Sequence, residues 1–299
     1  GPAVPVGQRD KMYNSWLRSF CRLTLYIAWV LLSLGIQATL VFLRSPFQHR
    51  FPLICHRNCC RIMGAKVIVT GKPVKDPSAL FVSNHCSYAD ISFIGGLVRA
   101  SFVAKAEMRH WPIFGWCARL SRCVFVERQA RFAKRQAEEM KDRLRAGDRL
   151  ILFPEGTSSD GNRVLKFRSS LLSAADTRID GKPVLVQPMS ITYTHLDGIP
   201  VGRHLRPFFA WYGDMDMASH LWELMGMGKL TVRISFDEPV TVDQFASRKD
   251  LTNYCEAVVA ARVSEALTGH AQPVLYDPEV PAAPRPALAP APAAAATAA

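Results

Sequence analysis

The pattern of apolar and polar positions begins with two apolar stretches of helical character. Residues 23–43 form an uncharged run about as long as a helix that crosses the hydrocarbon core of a bilayer. Residues 50–64 carry apolar side chains at helical spacing and end on Gly64, a common stop signal. We therefore predict membrane-anchoring helices over residues 1–64, either one membrane helix or a helical hairpin.

The pattern then changes to short apolar or β-branched runs separated by helical patterns. The runs lie at 65–71, 79–84, 101–105, 123–128, 149–154, 183–194 and 229–240. Amphipathic helices are predicted at 130–146 and 251–267. This alternation predicts an α/β fold over residues 65–270, with a mostly parallel sheet flanked by helices. Residues 271–299 are dominated by Pro and Ala, which predicts a disordered tail.

The mode of membrane attachment stays open at this level. Basic residues flank the apolar run on both sides, so counting them does not fix its orientation. A cleaved signal peptide is a weaker alternative, because the run is long and no clear cleavage site follows it. A hairpin lying half in one leaflet is the other alternative. The chain opens on Gly1, and we expect that residues upstream were processed or trimmed.

Composition narrows the class of partner. Lys and Arg exceed Asp and Glu by 37 to 25, and the formal charge of +12 favours anionic surfaces such as phospholipid or nucleic acid. The eight cysteines are spread through apolar stretches, which indicates reduced thiols facing the cytosol rather than a disulfide framework. The cluster at 55–60, CHRNCC, is predicted to be a helix face in preference to a metal site.

Candidate chemistry appears where the apolar run 79–84 ends, in the stretch FVSNHCSYAD. Ligands of open α/β sheets bind at the carboxyl ends of strands, and His85 stands at such an end. His85 and Asp90 can meet only if His85 lies in the turn before the next helix. A carboxylate on one imidazole nitrogen raises the basicity of the other, as a general base requires. The alternative is a polar pair or cap without a catalytic role.

Two further strand ends carry functional groups. The stretch LFPEGTSSDGNR places Glu155 and Gly156 at the end of one predicted strand, and VFVERQAR places Arg128 and Arg131 at the end of another. Arginines at such a position suit a phosphate or carboxylate. The plain alternatives are a strand-to-helix turn for the first stretch and a solvated basic edge for the second.

Together these stretches resemble the lysophosphatidate acyltransferase family of glycerolipid acyltransferases. Its four blocks appear here, in order, as NHCSYAD, VFVERQAR, LFPEGTSS and VLVQPMSI, and the resemblance covers residues 65–194. It implies an enzyme that moves a fatty acyl chain from an acyl carrier protein or coenzyme A thioester to the hydroxyl of a lyso-lipid. It implies no metal and no tightly held cofactor.

The resemblance also assigns roles to individual residues. His85 would be the general base and Asp90 would orient it. The acyl site would include Val186 and Pro188, with backbone amides near them available to an oxyanion. The residues implied in binding the lyso-lipid acceptor are Lys105, Arg128, Glu155, Gly156 and Thr157.

One departure from the family pattern bears on the acceptor. The usual third block has an Arg after the Thr, suited to a phosphate monoester, whereas Thr157 is followed here by Ser158. The stretch resembles a bacterial branch that includes lyso-ornithine lipid acyltransferases, whose acceptor has no phosphate, and we favour that acceptor. Lysophosphatidate remains the alternative, since Arg163, Lys166 and Arg168 are nearby cations.

Other function classes fit the sequence less well. No G-x-S-x-G elbow and no P-loop pattern is present. A metal-dependent hydrolase would need ligands beyond His85, Asp90 and Glu155, and none has matched spacing. A non-enzymatic membrane adaptor leaves the groups at strand ends unexplained, and no nucleic-acid-binding module is recognisable. The resemblance thus implies an acyltransferase, which we expect in the bacterial inner membrane with its active site facing the cytosol.

Overall fold

The structure is a computed structural model that describes residues 14–111, 113–126, 130–213 and 215–276, with only the backbone for 130–133. Its α-helices are α1 Trp16–Phe42, α2 Phe51–Ile62, α3 Asp90–Gly95, α4 Phe114–Leu120, α5 Ala130–Arg145, α6 Met217–Gly226 and α7 Arg248–Thr268. Its strands are β1 Ala65–Thr70, β2 Ala79–Ser83, β3 Ser101–Lys105, β4 Val124–Val126, β5 Leu150–Leu152, β6 Arg178–Ile179, β7 Lys182–Pro183, β8 Leu185–Leu196, β9 Ile199–Pro200 and β10 Leu230–Phe236. Every strand predicted from the sequence is present.

One mixed sheet organises the domain, with strand order β1-β10-β8-β2-β5-β3-β4 and β9 paired to β8. The strands from β8 to β4 run parallel to one another. Strand β10 is antiparallel to β8, and β1 is parallel to β10, so these two strands run in the opposite direction. The predicted α/β fold with a mostly parallel sheet is confirmed, with a reversed edge that the sequence pattern did not indicate.

Strand β2 lies near the centre of the sheet and is buried along its whole length. A strand covered on both faces is a continuous apolar run rather than an alternating one. Ala79 and Phe81 face a core that includes residues of α2 and α3, whereas Leu80 and Val82 face a core that includes α5 and α7. Helices on both faces therefore fix β2, and the residue that follows it, in the middle of the domain.

Helix α1 is long and apolar enough to cross a membrane by length and composition. It begins at Trp16, earlier than the predicted run, with Ser15 as its cap. One face is hydrogen-bonded to the domain along its length. Arg18 donates to Gly226 O at 2.8 Å, and Gln37 donates to Leu120 O at 3.3 Å. The other face is exposed and apolar, and it includes Trp16, Leu17, Phe20, Leu25, Ile27, Leu31, Leu32, Val41 and Phe42.

The proposed domain boundaries remain predictions. Helix α2 ends at Ile62 and β1 begins at Ala65, on either side of the predicted division at 64/65. Most of the Pro/Ala-rich tail, residues 277–299, lies outside the described residues.

Candidate active site

The side chains of His85 and Asp90 meet just beyond the carboxyl end of β2. His85 Nδ1 and Asp90 Oδ2 are 2.8 Å apart. His85 lies in the loop between β2 and α3, and Asp90 is the first residue of α3. The turn geometry required by the five-residue spacing is therefore present. The side chain of His85 is 21% exposed and that of Asp90 is fully buried.

Asn84 fixes the start of this loop. It follows β2 directly and is buried, and its side chain imitates a backbone partner for the neighbouring strand β8. Asn84 Nδ2 donates to Ile191 O, and Ile191 N donates to Asn84 Oδ1, both at 2.9 Å. This pair of bonds satisfies strand groups at the point where β2 ends. It holds the backbone immediately before His85.

The carboxylate of Asp90 is an acceptor for groups on both of its oxygens. Cys86 N and Ser87 N donate to Oδ2 at 2.8 and 3.0 Å, beside the His85 ring nitrogen. The hydroxyl of Tyr193, on β8, donates to Oδ1 at 2.6 Å. A buried carboxylate is tolerated when it is hydrogen-bonded in this way. The network holds Asp90 in one orientation against the imidazole.

The loop after β5 holds His85 from the other side. The His85 ring stacks on Phe153, with centroids 4.2 Å apart. His85 N donates to Glu155 Oε1 at 2.9 Å, and Ser159 N donates to His85 O at 2.9 Å. Ring and backbone are thus fixed by one loop. Among the described residues, no hydrogen bond to His85 Nε2 is found, which leaves this nitrogen available to a substrate.

Glu155 is a buried acid whose two carboxyl oxygens each accept a hydrogen bond from a backbone N–H. Its second oxygen, Oε2, accepts from Leu165 N at 3.1 Å. Burial raises the pKa of Glu155 to about 8, and the backbone N–H groups of His85 and Leu165 act in the opposite direction. The carboxyl group therefore joins the loop of β5 to the His85 loop.

The geometry supports proton transfer at His85 Nε2. Asp90 on Nδ1 fixes the tautomer in which Nε2 accepts a proton, and the buried network prevents rotation of the ring. Among the described residues, no group of three or more His, Cys, Asp or Glu side chains is placed to hold a metal ion. The carboxyl oxygens of Asp90 and Glu155 accept hydrogen bonds from N–H and O–H donors.

Comparison with known proteins decides the class. The acyltransferase family matches residues 66–192. A lyso-ornithine lipid O-acyltransferase of Brucella abortus is 38% identical over 261 residues, covering 86% of this chain and 98% of that protein. The chain belongs to the glycerolipid acyltransferase family.

Other relatives of this acyltransferase span two acceptor classes. A lyso-ornithine lipid O-acyltransferase of Rhizobium meliloti is 35% identical, covering 90% of this chain and 93% of that protein. A 1-acyl-sn-glycerol-3-phosphate acyltransferase of Neisseria meningitidis is 30% identical, covering 64% and 73%. The crystal structure of the 1-acyl-sn-glycerophosphate acyltransferase of Thermotoga maritima superposes with a TM-score of 0.54 at 27% identity, covering 82% of this chain and 97% of that one. The enzyme is an acyltransferase of the lyso-lipid type.

The predicted acceptor-binding residues of the acyltransferase lie at several places. Lys105 is the last residue of β3 and Thr157 is half-buried in the loop after β5. Gly156, next to Glu155, adopts a φ of +70°, which favours glycine. Arg128 lies outside the described residues. The roles of these residues remain predictions.

The residues predicted for the acyl site lie deeper in the sheet. Val186 and Pro188 are buried in β8, level with Leu80 and Val82 of β2. The N–H of Val186 donates to Val240 O at 2.7 Å, and proline has no N–H. Neither residue therefore supplies a backbone donor for an oxyanion, and such a donor has to come from another residue. Their role in shaping an acyl site stays a prediction.

Several residues that build the acyltransferase site were not singled out from the sequence. They are Asn84, Phe153, Ser159 and Tyr193. Phe153 and Ser159 lie inside the third block, so their proximity to Glu155 was an available signal. Tyr193 lies 103 residues after Asp90, and only the pairing of β8 with β2 brings the two together.

Proposed function

We propose that His85 is the general base of an O-acyltransferase and that Asp90 orients and stabilises it. The observation that carries this proposal is the 2.8 Å contact between His85 Nδ1 and Asp90 Oδ2, with Nε2 left to the substrate. General bases of this kind contribute about 10²- to 10⁴-fold to a rate. The membership of the acyltransferase family supports the reaction class.

The proposed reaction needs no covalent enzyme intermediate. His85 Nε2 accepts the proton of the acceptor hydroxyl as its oxygen attacks the thioester carbonyl carbon. The tetrahedral intermediate collapses with cleavage of the C–S bond, and the imidazolium returns its proton to the departing thiolate. An acylated lipid and a free thiol result, and His85 is neutral again. Asp90 keeps the ring in the productive tautomer throughout.

The acceptor that we propose is a lyso-ornithine lipid. Two observations support it over lysophosphatidate. The four relatives described as lyso-ornithine lipid O-acyltransferases, at 31–38% identity, are matched over 75–98% of their own length, and the two Neisseria 1-acyl-sn-glycerol-3-phosphate acyltransferases over 73%. Ser158 stands where the family pattern has a phosphate-binding Arg, and its hydroxyl donates to Trp211 O at 2.5 Å. The side chain of Ser158 is thus directed to the neighbouring backbone rather than to a ligand.

The exposed apolar face of α1 supports membrane attachment. Leu25, Leu31 and Leu32 are each more than half exposed, while the opposite face is bonded to the domain. A helix with these two faces suits the boundary between headgroups and acyl chains of one leaflet. We place the active site on the cytosolic side of the bacterial inner membrane, where acyl carrier protein and coenzyme A thioesters are available. No metal or tightly bound cofactor takes part in this scheme.

The test uses the full chain in mixed micelles. Labelled acyl-carrier-protein and acyl-coenzyme A thioesters serve as donors, and a panel of lyso-lipids serves as acceptors. The proposal predicts an ester-linked product with lyso-ornithine lipid at a higher kcat/KM than with lysophosphatidate. A clear preference for lysophosphatidate would contradict the acceptor. Failure to acylate any lyso-lipid with either donor would contradict the proposed reaction.

A further inference from the structure

Four cations lie on the loop after β5 or against it. They are Arg163, Lys166, Arg168 and Arg206. A cation close to the loop that holds His85 could form a strong, charge-assisted hydrogen bond with the anionic head group of an acceptor. The contacts of these four side chains differ, and those of Arg168 distinguish it from the other three.

Two of the four cations are bonded to other parts of the protein, and a third interacts electrostatically with an acidic side chain. Lys166 Nζ lies 3.3 Å from Glu256 Oε1, on α7. Arg206 is buried and donates to Asn162 Oδ1 and Val201 O at 2.5 and 2.7 Å. Arg163 is exposed and interacts electrostatically with Asp160. Lys166 and Arg206 therefore have bonded partners within the protein, whereas Arg163 has only the electrostatic interaction with Asp160.

Arg168 lies over the turn next to Glu155. Its backbone N–H donates to Pro154 O at 2.9 Å, which ties it to the residue before Glu155. A Cβ placed on Gly156 would lie 3.6 Å from both Nε and Cζ of Arg168, so the guanidinium covers Gly156 at contact distance. Glu155 in turn accepts the N–H of His85. Arg168 therefore contacts Gly156, the neighbour of the residue that binds the backbone of His85.

The guanidinium of Arg168 has no acidic partner among the described residues. It is also exposed. A guanidinium in such a place presents parallel N–H donors that match the two oxygens of a carboxylate or phosphate. Since Ser158 has no charge to offer, Arg168 is, of these four cations, the one that lies over Gly156 and can meet an anionic group there.

We infer that Arg168 binds the anionic head group of the acceptor, and that its ligand is the carboxylate of an amino-acid head group. This inference rests on the proposed function and deepens it. The bound head group would lie over Gly156 and bring the acceptor hydroxyl within reach of His85 Nε2. Arg168 is thus a specificity-determining residue rather than a catalytic one.

The test compares Arg168→Gln, Arg168→Lys and the charge-matched control Arg163→Gln in the full chain. The acceptors are lyso-ornithine lipid, lysophosphatidate and the methyl ester of lyso-ornithine lipid, in which an uncharged ester replaces the carboxylate. We expect Arg168→Gln to raise KM for lyso-ornithine lipid by about tenfold or more with a smaller change in kcat. Arg168→Lys should lose less than Arg168→Gln, because lysine keeps the positive charge but lacks the paired N–H donors of the planar guanidinium. Arg163→Gln should change KM by less than about threefold.

The methyl ester identifies the group that Arg168 recognises. Wild type should discriminate against the ester, and Arg168→Gln should not, since the two changes remove the same contact. A rise in KM for Arg168→Gln that is confined to lysophosphatidate would instead assign a phosphate and overturn the carboxylate. Equal KM values for Arg168→Gln and Arg163→Gln, with wild type active, would overturn the inference alone. No activity of wild type on any acceptor would overturn the proposed function and the inference with it.

Discussion

The hydroxyl of Tyr193 donates to Oδ1 of Asp90 at 2.6 Å, while the other oxygen of the same carboxylate faces His85. The bond joins β8 to the first residue of α3 across the end of the sheet. Tyr193 itself is buried and stacks on Phe209, with centroids 6.0 Å apart. The orientation of Asp90 is thus fixed from a strand remote in sequence.

Tyr193→Phe should reduce activity by loosening Asp90. Removing the hydroxyl leaves a buried carboxylate oxygen without its best donor, a loss of about 1–3 kcal/mol. We expect kcat to fall several-fold with little change in acceptor KM, together with a lower melting temperature. Tyr212→Phe is the control, because no hydrogen bond of the Tyr212 hydroxyl is found within the described residues. Equal kcat values for the two variants would contradict the positioning role.

Glu155 should make the stability of the enzyme depend on pH. Because burial raises its pKa to about 8 from an ordinary 4.5, the folded chain holds this proton more tightly than the unfolded chain. The contribution of Glu155 to the free energy of unfolding is then fully present below about pH 4.5. It is lost as the pH rises through 8, by up to about 1.4 kcal/mol per pH unit. Melting temperatures of wild type and Glu155→Gln between pH 5 and 8.5 measure this. The decline should be steeper in wild type, and parallel curves would refute it.

Gly156→Ala tests whether the turn at Gly156 serves the site. Its φ of +70° makes an L side chain unfavourable by about 1–2 kcal/mol, although a Cβ would find only ordinary contacts. Gly147 has a φ of +84° with nothing within 4 Å of a Cβ, so Gly147→Ala introduces similar strain in the turn after α5. Both variants should lose comparable stability, and only Gly156→Ala should lose activity. Similar turnover in the two would show that the turn has no special role.

The exposed face of α1 should control membrane binding. Leu31 and Leu32 are 51% and 56% exposed, so glutamates at both positions should not disturb packing against the domain. We expect the double substitution to reduce binding to phospholipid vesicles at least about tenfold in flotation assays. Ile199→Glu alters another exposed apolar residue, on β9, and should bind like wild type. Unchanged flotation of the double variant would contradict attachment through this face.

The positions of β2, His85 and Asp90 were predictable because these residues are close together in the sequence. An apolar run buried on both faces predicts β2, and the position of His85 before the next helix follows from a five-residue spacing. The reversed direction of β10 and β1 was not predictable, because an apolar run has the same pattern whichever way the strand points. Tyr193 was not predictable either, because its contact with Asp90 depends on the pairing of β2 with β8 in the sheet.

Side-chain roles were predicted less completely than positions. The family resemblance implies that Glu155 binds the acceptor, and the structure adds that both its oxygens accept backbone N–H groups. Likewise, three cations after the third block were equivalent in sequence. Only their contacts show that Lys166 pairs with Glu256 while Arg168 lies over Gly156. Such differences arise from long-range packing, which a single sequence does not display.

The most direct test of the account is the rate of acyl transfer from a labelled thioester to lyso-ornithine lipid by His85→Ala and Asp90→Asn. Melting temperatures close to that of wild type establish that the variants are folded. We predict that His85→Ala lowers kcat by about 10²- to 10⁴-fold and that Asp90→Asn lowers it substantially but less. A folded His85→Ala enzyme that turns over at the wild-type rate would contradict the claim that this imidazole removes the acceptor proton.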